Sequence, residues 1–84
     1  MNEQSMNEQS MNEQSMSIAI RDEYIELYKL LKLTDLAASG GEAKYMISEG
    51  MVSVNGEPDT RKRRKTRVGE KVQCNGVEVE IIAG

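Results

Sequence analysis

The sequence contains no histidine, tryptophan or phenylalanine, and it has only one cysteine and one proline. Without histidine, the side chain most often used as a general base is missing, and Cys74 falls in a predicted strand with no obvious base to activate it. The carboxylates, such as Glu57 and Asp59, are scattered and lack the spacing of a calcium-binding loop. We therefore expect no enzyme activity, no bound metal and no cofactor.

The scarcity of cysteine and of long apolar runs also bears on location. A single cysteine cannot form an internal disulfide, so nothing in the sequence requires an oxidising compartment. No apolar run approaches the ~20 residues that a helix needs to cross a bilayer, and the first residues lack the basic start and apolar middle of a secretory signal. We expect a soluble cytoplasmic protein without a membrane segment.

Residues 1–15 are three copies of Met-Asn-Glu-Gln-Ser. The repeat has no periodicity that could bury a face, and its composition is typical of disordered segments. We interpret it as an expression tag or disordered repeat, with a natural low-complexity tail as the alternative, and we predict a single domain over residues 16–84. The glutamates of the repeat account for the formal net charge of −3, so the predicted domain is neutral overall.

Apolar spacing predicts two helices in the first half of this domain. After a short strand over residues 17–21, Asp22 offers an N-cap for a helix in which Leu27, Leu30 and Leu31 share one face. Ser39 and Glu42 have the spacing of a capping box, and Gly50 supplies the residue that commonly ends a helix. We therefore expect a second helix of about two turns between Ser39 and Gly50.

Alternating apolar residues predict strands in the second half. Val52 and Val54 precede Asn55-Gly56, and residues 72–74 precede Asn75-Gly76, which are both strong signals for two-residue hairpin turns. The leading strand can pair with the last one. The pattern predicts an α+β domain in which two short helices precede a small, mostly antiparallel sheet. The predicted core comprises Leu27, Leu30, Leu31, Ala43, Met46, Ile47, Val52, Val54, Val72, Val77, Val79 and Ile81.

The most informative feature is the basic segment, which we define as residues 61–67. It holds six of the eleven Lys and Arg side chains and no acidic one. Such a density costs self-repulsion and is most easily explained by a polyanionic partner, although a merely solvated loop is the alternative. A second functional reading is a docking module for an acidic protein or an anionic surface. A membrane surface is disfavoured, since no apolar or aromatic residue lies among the charges.

The start of the second predicted helix provides a weaker anion site. The amides of Gly40, Gly41 and Glu42 would point along the helix dipole, although capping by Ser39 alone also explains the pattern. Lys44 and Tyr45 on the exposed face could supply a charge and a stacking ring. Tyr24 and Tyr28 flank the apolar stripe of the first helix, so we expect them to pack in the core or to be half-buried.

These residues resemble a known pattern. The motif Ser-x-x-x-Ala-x-x-x-Ile-x-x-Gly-x-Val-x-Val-Asn-Gly, followed by Val-Gly-Glu-x-Val, is similar to the RNA-binding domain first defined in small-subunit ribosomal protein four, and residues 16–84 most resemble the stand-alone bacterial YbcJ family. The matching residues are Ser39, Ala43, Ile47, Gly50, Val52, Val54, Asn55, Gly56, Val68, Gly69, Glu70 and Val72.

The resemblance implies a non-catalytic module in which RNA lies against the two helices and the adjoining loop. We expect the protein to be a monomer. The expected partner is structured RNA, often ribosomal RNA, in the ribosome or one of its subunits. Many members have Arg after the motif serine, whereas this chain has Gly40, and we expect the basic segment to supply the missing charge. The predicted RNA-binding residues are Lys29, Ser39, Gly40, Gly41, Lys44, Tyr45, Arg61, Lys62, Arg63, Arg64, Lys65 and Arg67.

Overall fold

The computed structural model describes residues 14–84 and confirms the predicted α+β domain. Two helices precede most of the strands within this part of the chain, and neither is long and apolar enough to cross a membrane. The elements are β1 (Gln14–Ile20), β2 (Ile25–Glu26), α1 (Leu27–Leu33), α2 (Gly40–Ser48), β3 (Val52–Val54), β4 (Glu57–Pro58), β5 (Lys65–Thr66), β6 (Lys71–Cys74) and β7 (Val77–Ala83).

The main sheet has the strand order β1-β7-β6-β3-β4 and is antiparallel except at one edge. There, β1 runs parallel to β7, from Gln14 opposite Val77 to Ile20 opposite Ala83, which confirms that the leading strand pairs with the last. β1 starts at Gln14, so Gln14 and Ser15 of the repeat lie in the strand. The rest of the repeat lies outside the described residues, and the boundary at residue 16 stays a prediction.

Both predicted hairpin turns are present. Asn55 and Gly56 have φ values of 53° and 90°, and Asn75 and Gly76 have φ values of 53° and 79°. Positive φ at both central positions characterises the type I′ turn, whose twist matches that of the flanking strands. The turns set the register of the sheet, with Val54 opposite Glu57 and Cys74 opposite Val77.

The second helix begins and ends where the sequence predicts. Ser39 is the N-cap of α2, and its hydroxyl accepts a hydrogen bond from the amide of Glu42 at 3.1 Å. The Glu42 carboxylate accepts from the amide of Ala38, one residue before the partner expected for a capping box. Beyond the helix, Gly50 has a φ of 80°, the left-handed conformation that glycine adopts without steric cost.

The predicted start of the first helix at Asp22 is wrong. Helix α1 begins at Leu27, with Glu26 as an N-cap whose side chain makes no capping bond. The reason is tertiary, because residues 25–26 are extended and pair as β2 with β5, so that Ile25 lies opposite Thr66. A distant segment of the chain therefore delays the helix by more than one turn relative to the local signal.

The core lies between the helices and one face of the sheet. Eleven of the twelve predicted core residues are buried, and the exception is Val77, which is half-buried against the core. Ile20, Ala37 and Cys74 are buried as well. Thr66 is also fully buried, although it lies within the basic segment. Its hydroxyl donates to the carbonyl of Ile25, which satisfies the polar atom inside the protein.

Candidate nucleic-acid interface

The backbone of the basic segment is fastened to the start of α1. The amide of Leu27 donates to the carbonyl of Arg64 at 2.9 Å, and the amide of Tyr28 donates to the carbonyl of Lys62 at 3.1 Å. These amides have no partner inside their own helix, because the first turn of any helix leaves its N–H groups free. The segment therefore presents its side chains from a fixed backbone instead of a free loop.

Arg64 is turned inward and is held by two carboxylates. Its Nη1 and Nη2 atoms donate to the two carboxylate oxygens of Glu70 at 2.9 and 3.0 Å, and its Nε atom lies 3.0 Å from Oδ2 of Asp59. The side chain is 18% exposed. Hydrogen bonding to Arg64 also lowers the pKa of the Glu70 carboxyl group. Arg64, predicted as an RNA contact, is thus committed to internal partners.

Glu70 joins the middle and the C-terminal end of the basic segment to the neighbouring hairpin. Besides Arg64, it accepts a hydrogen bond from the amide of Arg67 at 2.8 Å and one from the side-chain amide of Asn55 at 3.2 Å. Asn55 in turn accepts from the amide of Lys71 at 3.0 Å. Sequence reasoning noted Glu70 only as part of a family motif, whereas the structure shows it to be the main anchor of the segment.

Arg61 is exposed but also paired. Its backbone amide and its Nε atom each donate to Oδ1 of Asp59 at 3.0 Å, and its Nη2 atom donates to Oδ2 at 2.7 Å. These hydrogen bonds are the main reason why the pKa of Asp59 falls to about 2. The Arg61 side chain is 70% exposed, so solvent screens the pair, yet its charge is largely balanced by the adjacent carboxylate.

Cations from three separate segments of the chain lie close to the ring of Tyr28. The Nζ atom of Lys44 lies 4.8 Å from the centre of the ring, the Cζ atom of Arg63 lies 5.2 Å away, and the Nζ atom of Lys29 lies 6.0 Å away. Glu26 offsets part of this charge, with Oε1 at 3.6 Å from Lys29 Nζ and 3.3 Å from Arg63 Nη1. The predicted contact residues of α1, α2 and the basic segment therefore form one cluster.

Gly40, the first residue of α2, lies beside this cluster. A Cβ atom at Gly40 would lie 4.0 Å from Cε2 of Tyr28 and 3.6 Å from Cδ of Lys32, both ordinary van der Waals distances. The start of α2 therefore packs beside the ring of Tyr28, and the space at Gly40 admits a Cβ atom without a clash.

Tyr24 holds a second pair of cations. The Nζ atom of Lys65 lies 4.9 Å from the centre of its ring, and the Cζ atom of Arg67 lies 5.7 Å away. Both tyrosines are half-buried as predicted. Their role as cation partners could not be predicted locally, because all of these cations except Lys29 come from segments distant along the chain.

The amides at the start of α2 are less available than predicted. Glu42 uses its amide to bond Ser39, so among residues 14–84 those of Gly40 and Gly41 are left without a hydrogen-bond partner. The structure therefore supports capping as the main role of Ser39.

Tyr45 lies on the outer face of α2 with 61% of its surface exposed.

The basic segment forms an open depression of about 580 Å³, lined by Arg61, Arg63, Arg64, Lys65 and Arg67. Lys62, Lys65 and Arg67 have no carboxylate within ion-pair distance among the described residues. Within the same residues, no three His, Cys, Asp or Glu side chains group closely enough to hold a metal ion. The arrangement suits an extended anion that contacts several cations at once.

The fold and this cationic surface agree with a family assignment. The S4 domain family model matches residues 18–82, and the chain belongs to this family. One relative is the Probable ribosome maturation protein RlbA of Bacillus subtilis (strain 168), which is 49% identical over 59 residues covering 70% of this chain and 83% of the relative. YbcJ of Escherichia coli (strain K12) is 43% identical over 60 residues, covering 71% and 86% respectively.

A solved structure shows the same fold. The solution structure of YbcJ from E. coli, which revealed an ALFAL motif involved in RNA binding, matches with a TM-score of 0.61 and 39% sequence identity. The match covers 86% of this chain and 90% of that protein. The predicted resemblance to the stand-alone YbcJ family is therefore confirmed.

Proposed function

We propose that this protein binds structured RNA without catalysing a reaction, and that the RNA backbone lies across the basic segment, α1 and the start of α2. Membership of the S4 domain family supports RNA as the partner, as does the RNA-binding motif of YbcJ. The name of the relative RlbA supports ribosomal RNA, in a ribosome or a subunit during its maturation. We propose a cytoplasmic location, which an RNA partner of this kind supports.

The observation that carries the proposal is the cation cluster around Tyr28. Lys29, Lys44 and Arg63 come from three segments of the chain, and the fold brings all three to within 6.0 Å of one ring. Gathering like charges is unfavourable in the free protein, because Glu26 offsets only part of the repulsion. A polyanion that displaces its own counterions on binding compensates this cost.

The aromatic surface favours folded RNA over unpaired strands. Single strands are usually held by bases stacking on exposed rings. Here the rings of Tyr24 and Tyr28 are half-buried and occupied by cations, which leaves Tyr45 as the exposed ring among the described residues. The remaining mode of RNA recognition uses phosphate contacts and the shape of an RNA double helix, so we expect modest sequence specificity.

The proposed interface refines the set of predicted residues. Arg61 and Arg64 act mainly through Asp59 and Glu70 and shape the segment. The backbone of Ser39, Gly40 and Gly41 borders the cluster at the start of α2. The proposed phosphate-contacting side chains are Lys29, Lys44, Lys62, Arg63, Lys65 and Arg67, with Tyr45 beside them.

The proposal is tested by the salt dependence of RNA affinity. Lys62→Gln and Lys65→Gln each remove an exposed cation that has no carboxylate partner among residues 14–84. Each should weaken binding to a ribosomal RNA hairpin and lower the slope of log K against log salt by roughly one unit. Lys71→Gln is the matched control, since Lys71 lies on β6 and pairs with Glu78 at 3.8 Å. It should leave the slope unchanged.

Two results would contradict the proposal. One is equal loss of affinity in Lys71→Gln and Lys62→Gln, because binding would then depend on total charge and not on this surface. The other is a partner recovered from lysate that persists after ribonuclease treatment, which would favour docking to an acidic protein. If a single strand of the same length and composition binds as tightly as the hairpin, the preference for folded RNA is overturned, but RNA binding itself is not.

A further inference from the structure

Five cations of the interface fall into two groups according to what holds them. Arg61 and Arg64 are held by carboxylates, with nitrogen to oxygen distances between 2.7 and 3.0 Å. Lys44, Lys65 and Arg67 are held over tyrosine rings at 4.8 to 5.7 Å and have no ion pair among the described residues.

These two kinds of partner have different effects on the charge that a ligand meets. A carboxylate orders a cation but cancels its charge, and it competes with any phosphate for the same N–H donors. An aromatic ring attracts a cation through its quadrupole and carries no net charge. A cation over a ring is thus ordered while its full charge, and the donors that face away from the ring, stay available to a phosphate.

The backbone around Tyr24 and Tyr28 keeps each ring beside its cations. Tyr24 precedes β2, in which Ile25 lies opposite Thr66, so the strand that carries Lys65 is paired with the strand that follows Tyr24. Tyr28 donates its amide to the carbonyl of Lys62, and its hydroxyl lies 3.5 Å from Nη1 of Arg63. The cationic groups are therefore placed before RNA arrives, which reduces the entropy lost when they bind.

We infer that Tyr24 and Tyr28 are positioning residues of the RNA interface, and that the ring-held cations Lys44, Lys65 and Arg67 make phosphate contacts whereas the carboxylate-held Arg61 and Arg64 do not. The inference rests on the proposed function and goes further by relating the phosphate contact of each cation to the tyrosine or carboxylate that holds it. It assigns to two tyrosines a part in binding that requires no contact with RNA.

The first test compares two substitutions of Tyr24. Tyr24→Leu removes the ring that holds Lys65 and Arg67 but leaves every charge in place, so affinity for the RNA hairpin should fall roughly five- to thirtyfold while the salt slope stays unchanged. Tyr24→Phe keeps the ring and should bind within about twofold of the wild type. A merely structural role for Tyr24 would instead leave the affinity of the folded Tyr24→Leu variant unchanged, which would overturn the inference.

The second test does not depend on whether Tyr24→Leu folds. Arg67→Gln and Arg61→Gln make the same chemical change at two exposed positions of the basic segment. Arg67→Gln should lower the salt slope by roughly one unit, and Arg61→Gln should change it much less. Equal decreases would overturn the inference and leave the proposed function intact, whereas a wild-type protein that binds no RNA would overturn both.

Discussion

Arg64 and Glu70 form a bidentate ion pair, in which Nη1 of Arg64 lies 2.9 Å from one carboxylate oxygen of Glu70 and Nη2 lies 3.0 Å from the other. The pair is sheltered from solvent, with 18% and 23% of the two side chains exposed. Such a forked geometry is more specific than a single contact and is stronger when partly desolvated. It fixes the middle of the basic segment against the residue that starts the final hairpin.

Removing the carboxylate of Glu70 should destabilise the domain. The neutral side chain in Glu70→Gln cannot balance the charge of Arg64. Because Arg64 is partly buried, water only partly replaces the missing carboxylate. We expect the free energy of unfolding to fall by about 1–3 kcal/mol, measured by urea denaturation. Glu57→Gln is the control, since Glu57 is exposed on β4 and should lose less than about 0.5 kcal/mol. An unchanged stability of Glu70→Gln would show that the pair does not hold the segment.

Asp59 and Glu70, the carboxylates that hold Arg61 and Arg64, should also make the domain sensitive to acid. The pKa of Asp59 falls to about 2, chiefly through hydrogen bonds from Arg61, and hydrogen bonding to Arg64 lowers the pKa of Glu70. A pKa that is lower in the folded state adds stability above the pKa of the unfolded chain, and this stability is lost as the pH falls through the folded value. Stability should therefore decrease from about pH 5 towards pH 2.

Thermal unfolding followed by circular dichroism at several pH values tests this expectation. In the Asp59→Asn and Glu70→Gln variants, the decrease between neutral and acidic pH should be smaller than in the wild type, because one titrating group is absent. A wild-type curve that is flat over this range, or variants that lose as much stability as the wild type, would contradict the assignment.

Thr66 should contribute through its buried hydroxyl. Its side chain is fully buried and donates to the carbonyl of Ile25, where β5 meets β2. Thr66→Val keeps the shape but removes the donor, so the carbonyl loses a partner, and the free energy of unfolding should fall by about 1–2 kcal/mol. Thr60→Val, at an exposed position, should have little effect. Equal stability of the two variants would show that the hydroxyl is not needed.

Gly40 offers a way to increase RNA affinity. A Cβ atom fits there at van der Waals distance, so Gly40→Arg should fold and add a cation beside Lys44 and the ring of Tyr28. We expect tighter binding and a salt slope that increases by roughly one unit. Gly40→Ala is the matched control, because it makes the same backbone change without the charge. If both variants bind equally, the position does not face the RNA.

Local patterns in the sequence were sufficient to predict most of the fold. The spacing of Leu27, Leu30 and Leu31 revealed a buried helix face, and the Asn-Gly pairs fixed two turns, because both signals depend on neighbouring residues alone. The start of α1 could not be predicted in this way. It is set by pairing between Ile25 and Thr66, which are far apart in sequence.

The candidate site was predicted in outline but not in detail. The density of charge in residues 61–67 is visible in the sequence. Which of these cations pair with carboxylates inside the protein is not. Arg64 and Arg63 are adjacent and chemically identical, yet Arg64 contacts Glu70 and Arg63 contacts Glu26 and Tyr28. Side-chain direction on an irregular, anchored segment depends on partners that only the folded chain brings near.

The parallel pairing of β1 with β7 bears on how the protein is made. β7 lies between β1 and β6, and its residues Val79 and Ile81 fill the centre of the core. Among the strands of residues 14–84 it is the last to leave the ribosome, and until it emerges β1 lacks the strand with which it pairs. Such long-range closure is slow compared with local pairing. The domain therefore completes its folding only after translation has passed the final hairpin, and shorter nascent chains expose an unfinished core.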